Sequence, residues 1–524
     1  MSLEVIYHDV PVDTGTVTAS GDGHSFCSYA VTNRRNYELT PHPPQATLEP
    51  DSWLLDGSFG LLGDWDMPEF WGAALSDEAG MLPETKLVLK TEKPCSATGI
   101  TLRFWEETNQ WCSRIRLCWY GRGVLLAEQT AYPTGADFVL ERPVTGFDEV
   151  VLYLEQTSRP FRFPRVSFFG LGRRLRFGHE ALSQVQLLQE CDPTLCTLPA
   201  DTMTVSLRQE RYTLLPQENQ PMELYRDGRL LATQFITQCR RESGNRYVFS
   251  CQSRIGLLEQ PFPGSQCVNG AVEFLLDEIL GMGNAVELHQ DLPCYLTGAL
   301  PKGTAREALQ QIAFALGARV TTRGGGLQLQ PLEREVTGSF KEDKIFAGIK
   351  VDSDPKLARV ELTAHSYGTG QLQLLVKELS LEGRETVLTF HEPYAEFYVE
   401  GGEILESGSA TLRLTGDIVS VWGIPFIHSR KLYTREGETS GEVLAVEEAT
   451  LVNDENAPAV LERLFRAASA RQKVTFDAVL DDQYPGQWVT VPSPWGETME
   501  GVITAINARL TPNGQTANIT VRAL

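Results

Sequence analysis

The sequence predicts a mainly β protein of several domains that includes one small α/β unit. The chain of 524 residues is too long for one domain, since single hydrophobic cores stop growing at roughly 250–300 residues. Short apolar segments that alternate with polar residues recur between Gly, Pro and Asn turns, which is the pattern of antiparallel strands. Helical periodicity is limited to a few stretches, at 271–280, 304–316 and from residue 456 onward.

The α/β unit is predicted for residues 263–335. Its first helix, 271–280, ends at Gly281. Thr304 and Glu307 have the spacing of a capping box, in which each side chain accepts the backbone N–H of the other residue. An apolar stripe follows, and Gly317 stands where a left-handed C-terminal cap belongs. Alternating residues around the Arg323 turn then predict a hairpin.

The last 70 or so residues predict a helix followed by four strands. The helix begins near Asn456 and has Pro458 in its first turn, where a missing N–H costs nothing. Pro512-Asn513-Gly514 is a strong hairpin signal. The predicted strands are 474–480, 487–491, 500–510 and 516–524.

Residues 46–172 predict a separate β-sandwich. The segments GITLRFWEE, SRIRLCWY, GVLLAEQ, DFVLERP, EVVLYLEQ and RVSFFGLG are strand candidates at short intervals. The strand at 99–104 and the strand at 165–170 resemble the early and closing strands of a galactose-binding-like jelly roll. The resemblance implies an inserted carbohydrate-binding-like sandwich.

The stretches 300–332 and 451–524 resemble, in this order, the small α/β domain and the closing β-barrel of tail hub proteins. Such proteins occur in bacteriophages, prophages and related contractile injection particles. The hairpin at Asp227-Gly228 resembles one in the first barrel of the same family, whereas Gln487 replaces a usual acidic residue. The resemblance implies two hub-type β-barrels. The first is built from 1–45 and 173–262, and the second lies in a C-terminal β-rich domain, 336–524.

The resemblance also implies a structural role in a tail tip or baseplate hub, which joins the tail tube to the distal tip. The implied assembly is a homotrimer with six alternating barrels in a ring. Its implied partners are the distal tail or tube protein, the tape-measure protein and the tip or spike protein. The expected location is the virion tail, assembled in the cytoplasm of a bacterial host. Two alternatives remain: a cell-surface or secreted glycan-binding protein, and a tail-associated cell-wall hydrolase.

No catalytic, cofactor-binding or metal-binding residue is predicted, and we expect no enzyme activity. The motifs H-E-x-x-H, G-x-S-x-G and G-x-x-x-x-G-K-[ST] are all absent. Glu106 and Glu107 would point to opposite faces of a strand, so they do not converge as a glycosidase pair must. For the close pair Cys191 and Cys196, free thiols, a disulfide and metal ligation all remain open.

Four aromatic residues of the sandwich are candidates for contact with a host glycan, because aromatic faces can stack on sugar rings. Core packing is the competing explanation, since large aromatic side chains mostly fill cores. Trp111 lies in the polar turn ETNQWCS and is expected to be the most exposed. The candidates are Trp105, Trp111, Trp119 and Tyr120.

The charge balance argues against sequence-specific nucleic-acid binding. The chain has 68 acidic and 46 basic residues and a net charge of −22, whereas DNA-binding surfaces cluster Lys and Arg. The basic run at 173–176 is interpreted as ordinary surface charge. The excess of acid suits a tube lumen that DNA must pass without adhering, or serves only solubility. No apolar run approaches the ~20 residues of a membrane helix, so no membrane insertion is expected.

Overall fold

The computed structural model describes residues 2–523, except 13, 22–48, 51, 53–69, 105–109, 211–213, 215, 243–244, 282–285, 324–325, 334, 347, 393, 409 and 513. The described residues are mainly β, in agreement with the predicted fold class. Short 3-10 turns lie at Arg254–Leu257 and Glu342–Lys344. The helices are α1 Val272–Leu280, α2 Ala305–Leu316 and α3 Ala457–Ser469.

The strands are, in chain order, β1 Leu3–Asp9, β2 Val17–Gly21, β3 Phe70–Trp71, β4 Lys86–Phe104, β5 Cys112–Gly121, β6 Val124–Ala131, β7 Asp137–Thr157, β8 Arg165–Leu171, β9 Arg173–Phe177, β10 Leu182–Glu190, β11 Thr202–Arg208, β12 Pro221–Arg226, β13 Arg229–Arg241, β14 Arg246–Gln252, β15 Pro261–Phe262, β16 Ser265–Ala271, β17 Val286–Leu288, β18 Tyr295–Leu300, β19 Gly303–Thr304, β20 Ala318–Thr321, β21 Leu327–Pro331, β22 Val336–Ser339, β23 Lys350–Ser353, β24 Leu357–Thr369, β25 Gln373–Ser380, β26 Thr386–Thr389, β27 Tyr394–Ser407, β28 Thr411–Glu436, β29 Glu442–Val446, β30 Gln472–Ala478, β31 Trp488–Pro492, β32 Thr498–Thr511 and β33 Gly514–Ala523.

The largest sheet has 13 strands and forms the centre of the protein. Its first half contains β1 and β9–β14, and its second half contains β22, β23 and β30–β33. The strands of these halves lie within the residue ranges that were predicted for the two barrels. One hydrophobic core runs through both of them, from Val5 and Phe249 in the first half to Phe476 and Ile519 in the second.

Each half of the central sheet is interrupted between two neighbouring antiparallel strands. The chain leaves the first half after β1 and returns at β9, and Asp9 and Arg173 are cross-strand partners there. It leaves the second half after β23 and returns at β30, where Ser353 pairs with Gln472. We call residues 10–172 the first insertion and residues 354–471 the second insertion.

The first insertion is a seven-stranded sheet with the order β3-β8-β4-β7-β5-β6, and β2 pairs with β4. Within the described part of residues 1–45, β1 pairs with strands of the first half of the central sheet, whereas β2 pairs with β4 of the first insertion. Ala19 of β2 packs against the core of the insertion. The segments predicted as two strands, DFVLERP and EVVLYLEQ, form the single strand β7, in which Gly146 adopts a positive φ of 71°.

The second insertion contains a six-stranded sheet built from β24 to β29, and then α3. β28 is 26 residues long and pairs with β24, β25, β26 and β27. In the part of the second insertion next to the α/β unit, α3 packs on β24. The core that they share includes Leu195 and Phe314 from outside the insertion. Farther along the sheet, a separate cluster holds only five fully buried residues among those described.

The α/β unit has the local structure that the sequence predicts. The Glu307 N–H donates to Thr304 Oγ1 over 3.1 Å, and the Thr304 N–H donates to the Glu307 carboxylate over 2.8 Å, which completes the capping box. Gly317 is left-handed, with φ 68°. β20 and β21 pair as the predicted antiparallel hairpin, and β17 joins them in parallel.

Candidate functional site: the joined sheet and the face of the first insertion

The two halves of the central sheet are joined by backbone hydrogen bonds between β10 and β32. The register runs from Val185 opposite Leu510 to Glu190 opposite Ala505. Just beyond it, the Cys191 N–H donates to the Thr504 carbonyl over 2.9 Å. Because the pairing is antiparallel and has no register shift, the two halves form one continuous surface.

The exposed face of this joint is polar, but it also carries the exposed cation Arg509 opposite Gln186 and the exposed ring of Phe346. One row of polar side chains projects from five neighbouring strands, while the residues next to them along each strand face the core. The row consists of Asp477, Asn518, Asn507, Gln186 and Thr204. Gln186 bonds Asn507 over 3.1 Å, and Asn518 bonds Asp477 over 2.8 Å. Asp477 is the one acidic member of this row, so the surplus acid of the chain is not concentrated here.

The structure separates the four glycan candidates. Trp105 lies outside the described residues. Trp119 is 1% exposed in the core of the first insertion, so its assignment as a glycan contact is wrong. Strand alternation explains this result: Trp119 points inward, whereas Tyr120 points to the opposite face. Trp111 and Tyr120 are half-buried, and Trp111 packs against the core.

Charged side chains surround Tyr120 on the outer face of β5, β6 and β7. Arg116 donates to Glu155 over 2.9 Å and lies 4.0 Å from the ring centroid of Tyr153. Arg114 pairs with the same Glu155 over 2.8 Å. Burial, followed by the charge of Cys118, raises the pKa of Tyr120. This face offers mutually paired charges and partly covered aromatic rings.

Arg173 is a functional residue that the sequence analysis missed, because the run at 173–176 was assigned to the surface. Arg173 is 1% exposed and pairs with the equally buried Asp9 over 3.3 Å. Its Nε donates to Thr98 Oγ1 over 2.9 Å, and Thr98 also bonds Asp9. Arg173 lies on the same face of β9 as the buried Leu175. This alternation along the strand is the feature of the sequence that indicates a buried position for Arg173.

Neither cysteine of the close pair forms a disulfide, since Cys191 and Cys196 are free thiols. Burial raises the pKa of Cys191 to about 12. Within the described residues, no group of three His, Cys, Asp or Glu side chains is arranged to hold a metal ion. None of the helices described is long and apolar enough to cross a membrane.

No protein-family model matches the chain, and no curated protein matches its sequence. Solved structures with related folds are tail proteins. A tail protein from Neisseria meningitidis is 13% identical, with a TM-score of 0.41 over 66% of this chain and 93% of its own. The 43 kDa tail protein of prophage MuSo2 from Shewanella oneidensis is 10% identical, with a TM-score of 0.41 over 67% and 95%. Prophage tail protein gp18 from Listeria monocytogenes is 11% identical, with a TM-score of 0.39 over 66% and 91%.

Proposed function

We propose that this protein is a structural component of a phage, prophage or phage-like tail tip or baseplate hub. In this role it joins the tail tube to the distal tip and catalyses no reaction. The observation that carries the proposal is the joint between β10 and β32, which places two β-rich halves side by side in one chain. Three such chains supply the six units of a closed ring, and closed cyclic symmetry is the usual form of homo-oligomers.

The exposed face of the joint supports a position on the inside of the ring. Amide and hydroxyl groups such as Gln186, Asn507 and Thr204 form no ion pairs with phosphate, and they leave no apolar surface in the row. We therefore infer a lumen wall that is mostly uncharged in this row, instead of the net negative wall that was one of the two explanations of the composition. The acid elsewhere in the chain then serves solubility.

The partners that this role requires are a second and third copy of the chain, the distal tail or tube protein, the tape-measure protein and the tip or spike protein. The protein would be located in the virion tail after assembly in a bacterial cytoplasm. Electron microscopy of intact tails tests the proposal. We expect three copies at the distal end of the tube, with the row from Asp477 to Thr204 facing the axis. Another copy number, or an axis lined by Lys and Arg, would contradict it.

Contact of the first insertion with a host glycan depends, among the described candidates, on Trp111 and Tyr120. Both retain some exposure, and aromatic rings can stack on sugars. A glycan array with the wild type and with Trp111→Ala and Tyr120→Ala tests this contact. Binding that both substitutions leave unchanged would remove these residues from consideration. The hub proposal does not depend on the result.

A further inference from the structure

A cavity of about 380 Å³ lies where the α/β unit meets both halves of the central sheet. Its walls come from the end of β10, from the turn between β12 and β13, from β20 and β21, and from the loop at 480–485. The volume is in the range of small-molecule sites. Four arginine side chains line it. Arg226 and Arg229 flank the turn between β12 and β13, whereas Arg319 lies on β20 and Arg323 in the turn that follows β20.

Three of these four guanidinium groups have carboxylate partners. Arg226 and Arg229 share Asp482, at 3.4 and 2.7 Å. Arg319 lies 3.8 Å from Glu333 and donates to the Pro485 carbonyl over 3.0 Å. Its Nε is nevertheless buried and has no hydrogen-bond partner among the described atoms.

Arg323 has no carboxylate within ion-pair distance in the part of the chain that the structure describes, although it is half-buried. Its guanidinium carbon lies 4.9 Å from the ring centroid of Tyr484, and that of Arg319 lies 4.6 Å from the same ring. The two cations are therefore grouped around one aromatic side chain. Burial, and then the charge of Arg229, lowers the pKa of Arg323, and the charges of Tyr484 and Asp482 oppose this shift only in part.

We propose that this cavity binds a small oxyanion, a phosphate or a carboxylate group, between the guanidinium groups of Arg323 and Arg319. Guanidinium groups match the geometry of such anions and form charge-assisted hydrogen bonds to them. Four acidic residues also line the cavity, Glu190, Asp201, Asp481 and Asp482, and Asp481 pairs with Lys344. Asp482 is already shared by two arginines, and burial raises the pKa of Asp201 to about 6, which weakens its repulsion in mildly acidic solution.

Binding to the full chain tests the proposal, with inorganic phosphate and acetate as probes and chloride at equal ionic strength as the reference. Isothermal titration calorimetry should show saturable binding of phosphate, acetate or both, and the one preferred identifies the anion class. Arg323→Gln should weaken binding at least roughly tenfold, since hydrogen bonds to charged groups are the stronger kind. Arg384→Gln, on a side chain that is 80% exposed, is the matched control and should bind like the wild type.

The stability of the unliganded variant separates loss of the site from loss of the fold. Arg323→Gln removes a half-buried cation that has no carboxylate within ion-pair distance among the described residues, so without anion its melting temperature should equal or exceed that of the wild type. A lower melting temperature would mean that the protein itself satisfies Arg323, and would overturn the proposal. Absence of saturable binding of either probe, or unchanged binding by Arg323→Gln, would also overturn it.

Discussion

The two insertions enter the central sheet in the same way but are attached to it differently. Each replaces the turn between two antiparallel neighbours. We call the place where the chain leaves and re-enters the central sheet the neck of an insertion. At the neck of the first insertion, the Asp9 and Arg173 side chains are both 1% exposed. At the neck of the second, Asp354 pairs with Arg522 over 2.6 Å, but these side chains are 41% and 37% exposed. The first insertion therefore depends on a buried polar network, and the second must be held by other contacts.

Away from the necks, the second insertion packs against the rest of the protein more closely than the first does. Among the described residues, the core of the first insertion contains 22 buried residues, all from the insertion itself. The part of the second insertion next to the α/β unit shares its core with Leu195 and Phe314, and Arg463 donates to the Phe314 carbonyl over 2.5 Å. Thr450 bonds the Ala299 carbonyl over 2.5 Å as well. The first insertion is thus a domain with its own core, and the second is part of the α/β packing.

Deletion of each insertion should have the largest effect, and it tests directly whether the two insertions differ in their attachment. We expect replacement of residues 10–172 by Asn-Gly to leave a remainder that unfolds cooperatively, because Asp9 and Arg173 then flank a two-residue hairpin turn. The same replacement of 354–471 should expose Phe314 and abolish cooperative unfolding of the α/β unit. Circular dichroism and calorimetry measure both. A cooperative second deletion, or an unfolded first one, would contradict the assignment.

The sequence predicts local structure better than it predicts these attachments. The capping box at Thr304, the start of α3 at Asn456 and the C-terminal hairpin depend on residues that are close in the chain, and all three are confirmed. The register of β10 with β32 joins residues more than 300 positions apart. Such pairing is decided by tertiary packing, which no local pattern encodes.

The same limit applies to individual side chains. Trp119 and Tyr120 look alike as candidates until the face of β5 that packs on the core is known, because neighbouring strand residues point in opposite directions. For Arg173, alternation with Leu175 and Phe177 gave a usable signal. The buried partner Asp9 lies 164 positions away, however, and the sequence gives no indication of that pairing.

Substitutions at the two necks should differ in how much they lower the free energy of unfolding. Arg173→Met leaves the Asp9 carboxylate buried without its cation, which should lower the free energy of unfolding by about 3–5 kcal/mol. Arg522→Met removes a half-exposed pair and should cost at most about 1 kcal/mol. Urea unfolding of both variants measures the difference. Equal losses would show that burial of the first neck has no energetic consequence.

A second substitution identifies the source of the loss at the first neck. Asp9→Asn in the Arg173→Met background removes the stranded carboxylate, so part of the lost stability should return. Gln220, which bonds Asp9 Oδ1 over 3.4 Å, can still donate to the amide oxygen. No recovery in the double variant would place the effect in lost packing of the arginine side chain instead.

The smallest expected effect concerns pH and should be confined to the second insertion. His365 Nδ1 lies 2.9 Å from His428 Nε2, and His365 Nε2 lies 2.7 Å from the Glu447 carbonyl. Burial, then His365 and then Arg430 lower the pKa of His428, and Glu448 opposes the shift. The folded state therefore resists a proton that the unfolded state accepts near pH 6.5.

The sign of the pH effect follows from this difference. Stability of the β24–β28 ribbon should be complete above pH 6.5 and should decrease as the pH falls through that value toward the lower pKa of folded His428. His24 and His42 of the first insertion lie outside the described residues, and its described strands contain no histidine, so we expect no change in the stability of those strands over this range. Limited proteolysis at pH 7.5 and 5.5, corrected for protease activity, should show severalfold faster cleavage in the second insertion alone. His428→Phe keeps a ring against Tyr367, which stacks at 4.7 Å in the wild type, and removes the titrating group. If the acid-dependent cleavage persists in that variant, the histidine pair is not its cause.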